Sequence, residues 1–277
     1  MIDLHTHTTA SDGRRSPPEL VACAAAAGVT VLSVTDHDTT GGCAEAQAAC
    51  SDAGIAFVPG IEISAIRAGT EVHVLGYFID ADSVPLRTFL ADQRRRRSDR
   101  VRQMIERLAT CGIELDADAV LRPGIGDPAK AAGRPWIARA LVERGHCATI
   151  GEAFDRWLSV GRSAYVPRLA APPEEIFARI HGAGGIASVA HPSLLGHDEW
   201  IPAFVTAGLD AIEAYHPTHD AERTRHYLQL AARLGLAVSG GSDYHADDSH
   251  GALTPGSVAL PREQFEALQA CRHLPHS

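Results

Sequence analysis

Lysine is almost missing from this 277-residue sequence: Lys130 is the only one, and arginine supplies the rest of the 25 basic residues. Against 34 acidic residues the formal net charge is −9, which excludes a generally basic, nucleic-acid-coating surface but leaves room for a local patch that handles phosphates. The six cysteines, Cys23, Cys43, Cys50, Cys111, Cys147 and Cys271, contain no CxxC pair, so neither a zinc ribbon nor a disulfide framework is expected. No signal peptide precedes them, and the sequence reads as a cytoplasmic protein with reduced, mostly buried thiols. A membrane-crossing helix needs ~18 or more apolar residues in a row, and even the alanine-rich run 20–27 stops at Gly28. No membrane span is expected.

The chain does hold a hydrophobic fraction of 45%, a charged fraction of 21% and 15 histidines. The first two figures are those of an ordinary soluble enzyme, long enough for one large domain or for a core domain with an insertion. Short apolar segments alternate with alanine-rich helical ones over the first eighty residues. MIDL, VTVLSVTDHD, IAFVPGIEIS and TEVHVLGYFI read as strands; SPPELVACAAAAG reads as a helix with Ser16 at its N-cap, Pro17 at its first position and Gly28 past its end, and GGCAEAQAACSDAG as another. Between residues 84 and 162 the alternation is lost and only helical patterns appear. It returns with PPEEIFARIHGAG, GIASVAHP, EWIPAFVTAG, LDAIEAYHP, DAERTRHYLQLAARLG and LAVSGGSDYH. This order predicts an α/β barrel with a mainly parallel sheet, built from 1–83 and 163–277, and a helical cap inserted at 84–162.

Strand after strand finishes with residues of metal-ligand type: His5 and His7, then Asp36, His37 and Asp38, Glu62, His73, His191, Glu213 and His216, and finally Asp243 and His245. The C-terminal strand ends of an α/β barrel form one rim, so positions spread over the whole sequence converge on one pocket. A single histidine at a strand end is most simply a hydrogen-bonded structural residue. Repetition at strand after strand is what weighs against that explanation. His5 and His7 lie two apart on an extended segment and point to the same side. Glu62 interrupts an apolar run, where an unpaired carboxylate costs several kcal/mol on an order-of-magnitude scale. Seven histidines (His5, His7, His37, His73, His191, His245 and His216) and three carboxylates (Asp12, Glu62, Asp243) exceed the needs of one ion. They imply two or three divalent ions, with an excess positive charge that suits a multiply charged anion.

HTHTTASDG at 5–13, TDHDTTGG at 35–42, PGIEIS at 59–64, EVHVLGY at 71–77, VAHP at 189–192 and GGSDYH at 240–245 together resemble the PHP family, the polymerase and histidinol phosphatase superfamily of metal-dependent phosphoesterases. The resemblance implies a distorted (β/α)7 barrel and a trinuclear site. His5, His7, Glu62 and Asp243 would hold one ion, Glu62, His73 and His191 a second with Glu62 bridging, and Asp12, His37 and His245 a third. It also implies attack on phosphorus by a metal-bridging hydroxide, with His191, Asp243, Arg134 and His216 in the catalytic set. Aspartate at position 12, followed by Gly13, resembles the branch that removes the 3′-phosphate from nucleoside 3′,5′-bisphosphates or trims short RNAs from the 5′ end. A nucleotide phosphate or a short oligonucleotide is then the expected substrate, and no stable protein partner is implied. Manganese is the first choice of metal, with iron or zinc as alternatives.

Arg134 and Arg168 match positions where that branch places basic groups, and an arginine fork binds phosphate oxygens in a bidentate way; a surface salt bridge is the plain alternative for each. Trp136 is a candidate for stacking on a base, or an apolar anchor of the cap. His216 would orient the leaving group or a ligand, or simply bond at a strand end. One of Asp36 and Asp38 would hold a ligand imidazole and the other cap the next helix. The run Arg94 to Arg97 reads most simply as a solvated helix face, with phosphate or RNA binding as the other choice. His146, His181, His197, His219, His226, His250, His273 and His276 read as surface residues. Competing readings are a histidinol-phosphate-type phosphomonoesterase, a metal amidohydrolase and a non-catalytic metal-binding module. The second usually bridges its metals through a lysine, and Lys130 lies in the cap.

Overall fold

Ile2 and Asp3 (β1) pair in parallel with Val31–Val34 (β2), which pairs in parallel with Ala56–Arg67 (β3). A computed structural model describes residues 1–126, 130–247 and 254–273 of the chain. The sheet has seven strands in sequence order, continuing through Thr70–Tyr77 (β4), Ile186–Val189 (β5), Ala211–Tyr215 (β6) and Ala237–Gly240 (β7). β5, β6 and β7 are again parallel, whereas β4 runs antiparallel to both its neighbours. The seam between β7 and β1 is narrow. Leu4 N–H donates to Gly240 O at 3.2 Å, His7 N–H donates to Tyr244 O at 2.9 Å, and a single bridge joins Thr6 to Tyr244.

The reversal of β4 corrects one expectation. His73 does not finish a strand; it is the fourth residue of β4 and reaches the rim because β4 begins there. The cause is local. No helix separates β3 from β4, and Ala68 and Gly69 connect them with φ of 49° and 83°, a two-residue turn with positive φ at both positions, which brings the chain straight back as a hairpin.

Helices cover the sheet: Pro17–Ala26 (α1), Cys43–Ala53 (α2), then Val84–Thr110 (α3), Ala117–Gly126 (α4), Arg134–Glu143 (α5), Ile150–Ala153 (α6), and after the excursion Pro173–Gly182 (α7), Pro192–Leu195 (α8), Ile201–Thr206 (α9), Ala221–Leu234 (α10) and Arg262–Ala270 (α11). α1 starts as its sequence indicates, with a reciprocal bond between Ser16 and Glu19. Phe154–Leu158 continues α6 as one π-helical turn. Two cores result. The barrel core runs from Leu4 and Ile61 to Phe177 and Phe204 and takes in Leu86 and Leu90 from the first turns of α3. The far end of α3, with Met104, Ile105 and Leu108, packs instead with Trp136, Ile137, Leu141 and Leu158 in a separate cluster. No helix among the described residues is long and apolar enough to cross a membrane.

Candidate metal centre and active site

Glu62 lies midway along β3 and is 1% exposed. Its Oε1 is 2.8 Å from His73 Nδ1 and 3.2 Å from His191 Nε2. Its Oε2 is 3.0 Å from His37 Nδ1, 3.3 Å from His7 Nε2 and 3.5 Å from His5 Nε2. Each oxygen therefore faces its own set of imidazoles. Register explains part of this: Ser64 pairs with His73 across the hairpin, so Glu62 and His73 are diagonal neighbours on one face.

Two more carboxylates complete the nest. Asp243 Oδ1 lies 3.2 Å from the Nε2 atoms of both His5 and His7. Asp12 lies 3.3 Å from His245 Nε2, 3.8 Å from His37 Nε2 and 3.9 Å from His7 Nδ1. Four overlapping groups bring one ligand atom per residue within 4.8 Å of one another: His7, Asp12, His37 and His245; His5, His216 and Asp243; His5, His7 and Glu62; His37, Glu62 and His73. The backbone is strained around them, since Asp38, His191 and Asp243 have φ of 52°, 28° and 50°. Such conformations cost of order 1–3 kcal/mol each and persist where the surroundings over-determine them.

Buried ring nitrogens of His5 (Nε2), His7 (both), His37 (Nδ1) and His73 (Nδ1) have no hydrogen bond of proper geometry, although carboxylate oxygens lie close. Burial alone drives His5 and His73 towards neutrality, but the surrounding carboxylates outweigh it: His5 is held well above its usual range and His73 at about 10. Burial likewise raises Glu62, and His37, His73 and His5 outweigh it to hold the carboxyl well below the usual range. The cavity thus favours positive charge at its centre and points lone pairs there, which fits divalent cations with mixed imidazole and carboxylate ligands.

Two partners fix ring orientation. His5 Nδ1 sits 2.9 Å from Glu213 Oε1, so the Nδ1 proton goes to Glu213 and the Nε2 lone pair faces Asp243 and Glu62. The other Glu213 oxygen accepts the His191 N–H at 2.7 Å. The sequence reading placed Glu213 at a strand end without a role; its signal is the one that marked Glu62, a carboxylate in an apolar run. His216 Nδ1 accepts from Thr218 N–H at 3.2 Å, which leaves the Nε2 proton to donate to Asp243 Oδ2 at 3.3 Å.

Beside the nest a cavity of about 210 Å³ is lined by Asp12, His37, His73, Arg97, Arg100, Arg134, Phe154 and Arg168, among others. Arg168 is at its wall but commits Nη1 to Glu71 at 2.6 Å and Nη2 to Asp38 at 2.5 Å. Arg134, 27% exposed in its side chain, lies 3.6 Å from Glu71 and over the Phe154 ring. Arg100 Nη2 is buried and has no hydrogen-bond partner among the described residues. Trp136 is 7% exposed and packs with Met104 and Ile137 in the second hydrophobic cluster, outside this cavity.

Several expectations change here. Asp36 accepts from Thr8 and Ser11, and Asp38 holds Arg97, Arg168 and the Ser64 N–H, so neither grips a ligand imidazole or caps α2. Arg95 and Arg96 form the solvated face expected, pairing with Asp92, but Arg94 and Arg97 turn inward to Asp38 because they lie three apart on one side of α3. His219 is buried, bonded to Ala214 O at 3.0 Å, and His181 is half-buried against Asp210; neither is a surface residue. His250, His276 and the side chain of His273 lie outside the described residues.

A family model described as the PHP domain matches residues 3–120. The 3′,5′-nucleoside bisphosphate phosphatase of Chromobacterium violaceum is 36% identical over 265 residues, 94% of this chain and 92% of that protein. The chain belongs to the PHP family. It is a metal-dependent phosphoesterase. The 5′-3′ exoribonuclease Rnm of Salmonella typhimurium is also similar, 36% identical over 88% of this chain and 85% of that one. Among solved structures, a provisionally named metal-dependent phosphoesterase from Bifidobacterium adolescentis superposes with a TM-score of 0.87 at 32% identity, covering 99% of this chain and 96% of that one. A C. violaceum protein named an amidohydrolase, with sulfate bound and no metal, superposes at 0.86 and 34% identity over 100% of this chain and 98% of that one. Of the residues around the nest and its cavity, Glu71, Arg100 and Phe154 have no role assigned from sequence, and Glu213 and Arg97 none as specific as the contacts they make. Phe154 gave no signal, since the π-helical turn that aims it reads as ordinary helix.

Proposed function

We propose that the enzyme hydrolyses phosphate esters of nucleotides, removing the 3′-phosphate of nucleoside 3′,5′-bisphosphates or acting on short 5′-phosphorylated oligonucleotides. The observation that carries this reading is the division of labour around the nest: Glu62 shows one oxygen to each of two imidazole sets, and an arginine-lined cavity opens directly beside them. The names of the bisphosphate phosphatase and exoribonuclease relatives support the same substrate chemistry.

His5, His7, Glu62 and Asp243 would hold one divalent ion, Glu62, His73 and His191 a second, and Asp12, His37 and His245 a third. Ions so held lower the pKa of water and polarise phosphoryl oxygens, with manganese first and iron or zinc as alternatives. Glu213 keeps the His5 lone pair aimed inward, and His216 holds Asp243 in place through Nε2. Arg134 and Arg100 receive the substrate's phosphoryl oxygens, while Arg168 shapes the wall through Asp38 and Glu71. Phe154, which Arg134 already overlies, offers the flat face for a base in place of Trp136. Residues 84–162 act as the cap, and the free cysteines accord with a cytoplasmic enzyme. A lysine-bridged amidohydrolase centre finds no support, since Glu62 occupies the bridging place and the one lysine, Lys130, precedes α5.

With added manganese, purified enzyme should release phosphate from adenosine 3′,5′-bisphosphate far faster than from histidinol phosphate. Turnover of histidinol phosphate alone would overturn the ranking. Glu62→Gln should abolish activity and remove most of the bound metal, and retention of both would sink the bridging role.

A further inference from the structure

Three successive carbonyls of the loop that carries Asp12 are held from the cap. Ala10 O accepts from Ala131 N–H at 3.1 Å, Ser11 O from Trp136 Nε1–H at 3.4 Å, and Asp12 O from Arg139 Nη2–H at 2.8 Å. All three donors belong to α5 or to the residues just before it, and Trp136 and Arg139 lie three apart on one helical face. On its other side the loop is pressed against the first barrel segment. A side chain at Gly13 would meet His7 O at 2.4 Å, so the loop has no room to move towards the barrel. Between α5 and His7, the Asp12 main chain has one position, and from it the carboxylate faces His245, His37 and His7.

We propose that Arg139, with Trp136, is a positioning residue for Asp12: α5 sets the Asp12 carboxylate so that the Asp12, His37 and His245 group binds its ion. This rests on the reading of Asp12 as a metal ligand. Arg139 contacts neither substrate nor ion. Its donor acts on the main chain of a ligand, the relation in which loss of a supporting partner typically weakens metal affinity by about 10–100-fold.

The test is titration of metal-free full-length protein with manganese, counting bound ions by calorimetry and by the electron paramagnetic resonance of free Mn(II), with thermal melting as the fold control. The variants are Asp12→Asn, Arg139→Ala, Arg139→Lys, Trp136→Phe and Asp12→Asn combined with Arg139→Ala. Asp12→Asn should lose one ion. Arg139→Ala should weaken that same ion about tenfold or more and leave the others unchanged, Arg139→Lys should recover part of the loss, and the double variant should bind ions as Asp12→Asn does. Should Arg139→Ala fail to fold, Arg139→Lys and Trp136→Phe, which keep the charge and the ring, must still weaken that ion selectively. Unchanged affinity of every ion in the folded variants, or a further loss in the double variant, would overturn the proposal. If Asp12→Asn loses no ion while the wild-type chain binds them, the ligand reading of Asp12 fails first, and the positioning role goes with it.

Discussion

Arg134 and Arg168 carry the same side chain and differ in what surrounds it. Arg168 is 9% exposed and sits between two carboxylates, so removing it leaves Asp38 to Arg97 and Glu71 to its longer contacts with Arg134 and His73. Breaking a buried pair of this kind costs on the order of 3–5 kcal/mol, and Arg168→Ala should therefore appear as a lowered melting temperature. Arg134 looks into the cavity across a 3.6 Å contact with Glu71. A hydrogen bond to a charged group contributes about 1.5–3 kcal/mol, so Arg134→Ala should raise KM for the bisphosphate by roughly 10–150-fold and leave the melt unchanged. Steady-state kinetics beside calorimetry separates the two residues; equal effects on KM would refute the distinction. From the sequence both arginines look alike, because nothing in AAGRPW or AYVPR shows that Asp38, far away in the chain, claims one and not the other.

The β3–β4 hairpin is the element on which the second imidazole set depends. Gly69 has φ of 83° with nothing within 4 Å of an added Cβ, so Gly69→Ala tests the backbone alone. A left-handed residue with a Cβ costs roughly 1–2 kcal/mol, and the melt should fall by a few degrees while metal content stays the same. Loss of metal instead would show that the turn also sets the position of His73. Elements with a repeating apolar pattern were legible in the sequence: the seven strands, the helices between them and the helical stretch from residue 84 all follow it. Several rim residues were legible too, as polar side chains where a strand's apolar run stops, such as His5, His191 and Asp243, or as a carboxylate that breaks one, as Glu62 does. The direction of β4 was not, since alternation of types says nothing about which way a strand runs when a two-residue turn replaces a helix. The inward turn of Arg94 and Arg97 was hidden for a similar reason. Four consecutive arginines span a full helical turn, and only the packing of α3 decides which two face Asp38.

At the scale of the whole molecule, the chain closes on itself where its candidate ligands are richest. Between β7 and β1 there is one bridge, with main-chain bonds from Leu4 and His7 and the Asp3 carboxylate gathering Ser242 and Gly256. Across this same gap His5 and His7 face Asp243, and Asp12 faces His245. Ions held there would join the beginning of the barrel to its end, as a clasp joins the ends of a bracelet. Ligands that bind only the folded state stabilise it by mass action, and a bond across an opening should slow that opening more than any other. Chelation should therefore lower the melting temperature and speed hydrogen exchange at residues 2–7 and 240–246 well beyond that in β3 and β4. Uniform acceleration over the sheet would show that the ions steady the fold as a whole and not its closure. On this view the metals would have two duties: the centre proposed to do the chemistry would also be the fastening of the barrel, and an enzyme starved of metal would lose its shape first where it keeps its reactive groups.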